Sequence, residues 1–99
     1  MILGKVVGTV WSTRKDENLV GAKFLIVKQL DLDYKLKDNF VIAVDSVGAG
    51  VGEVVIVATG SSARQTTFTK NKPIDAVIMA IVDKLDISVK DDVSGTTEN

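Results

Sequence analysis

The chain has 99 residues, with 12 basic and 13 acidic side chains, a formal charge of −1, one proline, and neither cysteine nor histidine. That length suits one compact domain around one core and is too short for two. The two missing residue types exclude disulfides, thiolate metal sites and the Ser-His-Asp and Cys-His arrangements, so no cofactor, no metal site and no enzyme chemistry are expected, and the slightly acidic balance offers a phosphate backbone little attraction.

A domain this small hides only about two-thirds of the surface its unfolded chain exposes, which favours self-association. No apolar run approaches the roughly 20 residues that cross a bilayer. Lys5 falls inside the first apolar segment, with no small-residue cleavage site after it. Neither a membrane span nor a signal peptide is expected, and the chain reads as cytoplasmic.

Residues 2–11 are mostly β-branched or aromatic and predict a strand. Gly4 and Gly8 fall on one face with Ile2, Val6 and Val10 by alternation. Glycine repeated inside a strand points to a bend or a close backbone approach, as at the corner of a small barrel. Residues 12–18, STRKDEN, are polar with mixed charge and predict an exposed loop. A second strand is expected over 19–29. There Val20, Ala22, Phe24 and Ile26 alternate with Lys23, Leu25, Val27 and Gln29, so both faces are partly apolar. A strand covered on one side by its own barrel and on the other by a neighbouring chain has this character.

The charged stretch 31–39, DLDYKLKDN, predicts a longer loop, and strand character resumes over 40–47. The glycine stretch GAGVG at 48–52 leads into the apolar strand 53–59, and at 60–64 Ser61 or Ser62 is placed to cap one short helical turn. In 73–87 the residues Ile74, Val77, Ile78, Ile81, Val82 and Leu85 repeat at helical spacing. The β-branched composition of the same run favours a sheet, and a segment apolar on all sides leaves spacing unable to decide. The polar tail 88–99 is expected to fray.

The glycine stretch raises the possibility of a phosphate cradle. A dinucleotide fingerprint needs G-x-G-x-x-G after a strand and at the mouth of a helix, whose N-terminus holds the pyrophosphate. Here the spacing is G-x-G-x-G, the element that follows is a strand by composition, and no Gly-Lys-Ser/Thr is present. The stretch therefore reads as a bend, in which glycines supply the backbone freedom for a sharp reversal or a bulge.

With its flanks the stretch reads DSVGAGVGE (45–53), VVIVAT (54–59), GSSAR (60–64). That block resembles the EutN/CcmL family of bacterial microcompartment vertex proteins. The likeness continues in GKVVGTV (4–10), Ser12 and Thr13, GAKFL (21–25), KPIDA (72–76) and AIVD (80–83), and covers about residues 1–87, leaving 88–99 as a tail without a counterpart. What the resemblance implies is a mainly β protein: a small OB-like closed β-barrel of about five strands with one short helix, assembled as a cyclic pentamer. Such homopentamers are structural shell proteins that cap the vertices of a polyhedral microcompartment in the cytoplasm, among hexameric shell proteins. A flat layer of six-fold tiles cannot close without five-fold defects, and a cyclic ring closes a head-to-tail contact on itself. By the same analogy, residues 76–85 are assigned as the last barrel strand.

Residues expected at the subunit interface or the central opening are Gly48, Gly50, Gly52, Glu53, Ser61, Ser62, Ala63 and Arg64. Glu53 and Arg64 flank one strand and its following turn and are suited to charge-assisted bonds across a subunit boundary, against the alternative of two solvated charges. Gly60, Ser61, Ser62 and Ala63 are small enough to pack around a symmetry axis, against the alternative of a helix cap. Asp45, Asp75 and Asp83 read as surface or turn-capping carboxylates, and Trp11 as a packing residue. An OB-type module for nucleic acid or oligosaccharide is the competing function. Single-strand binding wants aromatic platforms in a basic groove, and one Trp, one Tyr and three Phe in a slightly acidic chain suit it poorly.

Overall fold

The computed structural model describes residues 1–12, 17–60 and 75–88. Five strands close into a barrel: β1 (Ile2–Val10), β2 (Phe24–Leu30), β3 (Leu36–Asp45), β4 (Val54–Thr59) and β5 (Ala76–Val82), in the spatial order β1-β2-β3-β5-β4. Every pairing is antiparallel except β3 with β5, where Val44 lies opposite Val77 and Asp45 opposite Ile78. The expected mainly β closed barrel of five strands is thus present. Among the described residues the helical element is a 3₁₀ turn, Glu17–Leu19; the helical turn expected after Ser61 lies outside them, as does the tail beyond Ser88.

Alternation along the strands turns Val6, Leu25, Val27, Ala43, Val55, Val57 and Ile78 inward to one core cluster. Each fully buried Val, Leu or Ile contributes about 1.5–3 kcal/mol relative to leaving it in water. The helical spacing of the last segment is overridden because Val77 and Ile78, adjacent in β5, are both fully buried, one on each face of the strand. An all-round apolar run in so small a barrel is a strand covered on two sides.

Gly4 supplies the close approach that its sequence context suggests. A Cβ there would meet the Val27 side chain and stand 2.7 Å from the Lys28 carbonyl oxygen, so β1 crosses β2 at a separation that only glycine permits. Gly8, however, does not share its face. A register shift between Val6 and Gly8 turns Gly8 outward opposite Ile26, while Gly4 and Val6 point inward. A bulge inverts the alternation beyond it, and composition gives no sign of one.

Two other expectations shift. Residues 19–23 do not extend β2. Leu19 closes the 3₁₀ turn, Ala22 N–H donates to the Leu19 carbonyl (2.9 Å), and Leu19 and Ala22 fold over Val44 and Phe24 at one end of the barrel. The charged segment 31–39, expected as one loop, is divided between a turn and the start of a strand. Its turn spans only 31–35, where the Asp31 carboxylate accepts from Asp33 N–H (2.8 Å) and Lys35 N–H (3.0 Å), and β3 begins at Leu36. Charge there records a strand in water on both faces, residues 36–40 all being exposed.

Candidate functional site: the glycine loop

The chain reverses between β3 and β4 through residues 46–53, and the loop is held by carboxylates at its two ends. Asp45, the last residue of β3, accepts through Oδ1 from Val47 N–H (3.1 Å) and Ala49 N–H (3.1 Å). Its Oδ2 lies 3.7 Å from Lys23 Nζ, and that ammonium donates to the Ala49 carbonyl (3.1 Å). At the far end Glu53 Oε1 accepts from Gly50 N–H (2.7 Å), and Glu53 N–H donates to the Gly50 carbonyl (3.1 Å). Side chains at both borders thus satisfy backbone donors that a loop otherwise gives to water.

The loop is also stitched to the barrel wall. Gly52 N–H donates to the Val6 carbonyl (2.8 Å), Val6 N–H donates to the Glu53 carbonyl (2.9 Å), and Ser46 Oγ donates to the Ile78 carbonyl (2.8 Å). Ala49 is 1 % exposed and its methyl joins the core cluster, so the loop plugs one end of the barrel. Gly48 and Gly52 have φ of 79° and 96°, which side-chain-bearing residues rarely adopt; these two glycines make the reversal possible. Val47, just before Gly48, and Val51, just before Gly52, are exposed.

This geometry explains chemically why the stretch is a bend. The N–H groups of Val47, Ala49 and Gly50 already point at the protein's own carboxylates, so the concavity that would hold a phosphate is filled from within. Asp45 is the turn-capping residue the sequence suggested, with its side chain 5 % exposed, whereas Asp75 and Asp83 lie on the surface. Gly48, Gly50, Gly52 and Glu53 come together in this one loop. Ser61, Ser62, Ala63 and Arg64 lie outside the described residues.

Lys23 was not singled out from sequence, yet it bridges the carboxylate and the carbonyl that fix the plug. The signal available was weak: a lone basic residue inside the apolar run GAKFL. Trp11 corrects the packing expectation. It lies one residue beyond β1 and is 88 % exposed, at the rim of a groove lined by Thr9, Val10, Ala22, Lys23 and Phe24. The strand ends before it, so no layer of this chain's described residues covers the ring.

The whole scaffold is similar to proteins of known assembly. A family model described as ethanolamine utilisation protein EutN/carboxysome matches residues 1–83. The bacterial microcompartment shell vertex protein GrpN of Rhodospirillum rubrum is 49 % identical over 86 residues, covering 87 % of this chain and 97 % of that protein. A solved structure of GrpN, described as a pentameric microcompartment shell protein, matches with a TM-score of 0.80 at 47 % identity over 88 % of this chain and 99 % of that one. CcmL of Gloeobacter violaceus matches with a TM-score of 0.83 at 38 % identity over 88 % and 90 % of the two chains.

Proposed function

The chain belongs to the EutN/CcmL family, and from that premise we propose that it is a structural shell protein whose homopentamer caps the vertices of a bacterial microcompartment in the cytoplasm. The observation that carries the reading is the match of 87 % of this chain to 97 % of the length of a shell vertex protein. The fold is consistent with a tile. A vertex must present a fixed shape to several neighbours at once, and here the long connection between β3 and β4 is immobilised by two carboxylates, an ammonium and bonds to β1 and β5.

The role is structural rather than catalytic. The two carboxylates best placed in the candidate site are both spent on loop N–H groups, which leaves them engaged as acceptors rather than poised as acid and base. Hexagonal shell proteins are the neighbours a five-fold cap requires, because a closed polyhedron of six-fold tiles needs five-fold defects. The ring opening and its subunit contacts draw on Ser61, Ser62, Ala63 and Arg64 together with the loop at 48–53.

Native mass measurement of the purified chain tests the assembly. A species of five times the 10.6 kDa protomer is expected, and a lone folded protomer at micromolar concentration refutes the reading. Co-production with a hexagonal tile protein tests the vertex role: closed particles are expected with this chain and open-ended ones without it. Charge reversal at Arg64 that leaves the five-chain species intact removes that residue from the interface.

A further inference from the structure

Two ammonium groups stand opposite one another on the outer wall of the barrel. Lys5 of β1 pairs directly with Lys28 of β2, and the row continues to Phe40 of β3 on one side and to Val54 of β4 and Val82 of β5 on the other. These positions face outward, because Val6, Val27, Val41, Val55 and Ile81 beside them belong to the core or pack against it. Residues directly opposed on one face have Cβ atoms about 4.5–5.5 Å apart, and like charges so placed destabilise a sheet. Both lysines are half-buried, and among the described residues neither enters an ion pair. The nearby carboxylates do not serve. Glu53, beside Val54, is turned to Gly50 N–H, while Asp38, two residues before Phe40, and Asp83, just after Val82, are exposed and pair with neither lysine.

The wall thus carries an unneutralised cationic pair set in an apolar row, and its complement is an acidic segment bordered by apolar side chains. The chain supplies one. The row ends at Val82, the last residue of β5, and the sequence runs on to 89–99, outside the described residues and past residue 83, where the match to the family model stops. That segment holds Asp91, Asp92 and Glu98 against the single base Lys90, and Val89 and Val93 border the acidic pair. Neighbouring strands lie about 4.8 Å apart, so Lys5 and Lys28 are roughly 10 and 14 Å from Val82 along the row, and the chain from Val82 to Asp91 can span about 30 Å when extended. We propose that the tail docks on the wall of its own barrel, with Asp91 and Asp92 against Lys5 and Lys28, rather than fraying as its polarity alone suggests. The tail is then a strap that neutralises the two ammonium groups and screens the β1–β2 wall. Its hold is electrostatic, so rising ionic strength or a competing anion releases it and uncovers the row. The strap is independent of the vertex reading, since both of its halves belong to one chain.

The natural absence of cysteine makes a clean test possible. Phe40→Cys and Val93→Cys are introduced together in the full chain, which is then treated with a short bis-maleimide. Isotopically light and heavy protein are refolded together beforehand, so that mass separates links within a chain from links between chains. A link within one chain is expected. Its yield should fall about five-fold when Lys5→Gln and Lys28→Gln are added, and likewise in about 0.5 M salt. Asp91→Asn with Asp92→Asn, which leaves the barrel untouched, should lower it equally. Exchanging the signs, with Lys5→Glu, Lys28→Glu, Asp91→Lys and Asp92→Lys, should restore it, and circular dichroism checks the fold of each protein. A yield indifferent to these charges overturns the strap. Links chiefly between chains also overturn it and assign the wall to a neighbouring copy, and the absence of any link leaves the lysines to an outside anion. None of these outcomes depends on the number of chains in the assembly, which native mass measurement reads separately.

Discussion

Replacing Asp45 by alanine is the sharpest probe of the plug. Its carboxylate, nearly inaccessible at 5 % side-chain exposure, is the acceptor for Val47 N–H and Ala49 N–H, and Ala49 is itself buried. A hydrogen bond to a charged acceptor contributes about 1.5–3 kcal/mol, and losing the acceptor strands its donors unless the loop opens to water. The Lys23 ammonium keeps its bond to the Ala49 carbonyl, and with its side chain 52 % exposed the ion pair contributes at most about 1 kcal/mol. Since the two N–H groups share one oxygen and the loop can partly relax, the net loss is expected at about 2–4 kcal/mol, a large share of the roughly 5–15 kcal/mol of a domain. Asp45→Asn keeps an acceptor oxygen and loses the charge, so about 1–2 kcal/mol is expected. Denaturant unfolding of the three proteins at one fixed protomer concentration measures the difference, the fixed concentration removing any contribution from subunit exchange. Asp45→Ala within about 0.5 kcal/mol of wild type would falsify the claim that this carboxylate holds the plug.

The glycines of the loop separate by backbone and not by space. Gly48→Ala and Gly52→Ala should each cost about 1–2 kcal/mol, from positive φ alone, since a Cβ meets nothing within 4 Å at either place. Gly50→Ala should be nearly silent, its Cβ making only an ordinary 3.7 Å contact with Glu53 Oε1; equal losses at all three positions refute the distinction. Gly4→Ala is expected to cost about 1–3 kcal/mol by pushing β1 off the Lys28 carbonyl, read from the unfolding midpoint. The Asp31 carboxyl should titrate below the ordinary aspartate range, chiefly because Lys35 N–H donates to it, with Asp33 N–H and the charges of Lys35 and Lys37 adding to the effect. The hairpin turn is therefore supported above the unfolded-state pKa, and that support fades as pH falls through the lower folded value. Carboxyl NMR titration checks the direction, and an Asp31 that titrates within or above the ordinary aspartate range refutes it.

The parts of the fold that could be read from the sequence are those in which one physical requirement dominates. The apolar run VVIVAT at 54–59 became β4 at the expected place, and the family resemblance correctly overrode helical spacing in 76–82. The misses share a cause: a register set by contacts between strands far apart in sequence. Gly8 changes face because of a bulge that its own neighbours do not encode, and residues 36–39 are strand because they pair with β2, not because their composition favours a sheet. The site divides in the same way. That the glycine stretch bends was evident from the strand after it, and Asp45 suggested a cap. That Lys23, 22 positions earlier, would close the carboxylate from the other side depends on β2 delivering it to the end of β3, where Asp45 N–H also donates to the Lys23 carbonyl (2.9 Å).

The same reasoning bears on the outward residues of the barrel. A strand's inward residues are constrained by its own barrel, and sequence alternation reports them well. Its outward residues are constrained by whatever covers the barrel, and one chain alone cannot explain why Ile26, Ile42 and Phe40 are apolar. Outward side chains such as Ile42, 43 % exposed in the single chain, are of the kind that a ring of copies covers. A small barrel of this size hides too little of its own surface to be indifferent to neighbours, and burial between copies adds the apolar area that one copy lacks. Stability and assembly are then one equilibrium, and the unfolding midpoint of the wild-type protein should rise with protomer concentration. A concentration-independent midpoint for the wild type would place the outward residues in some other service.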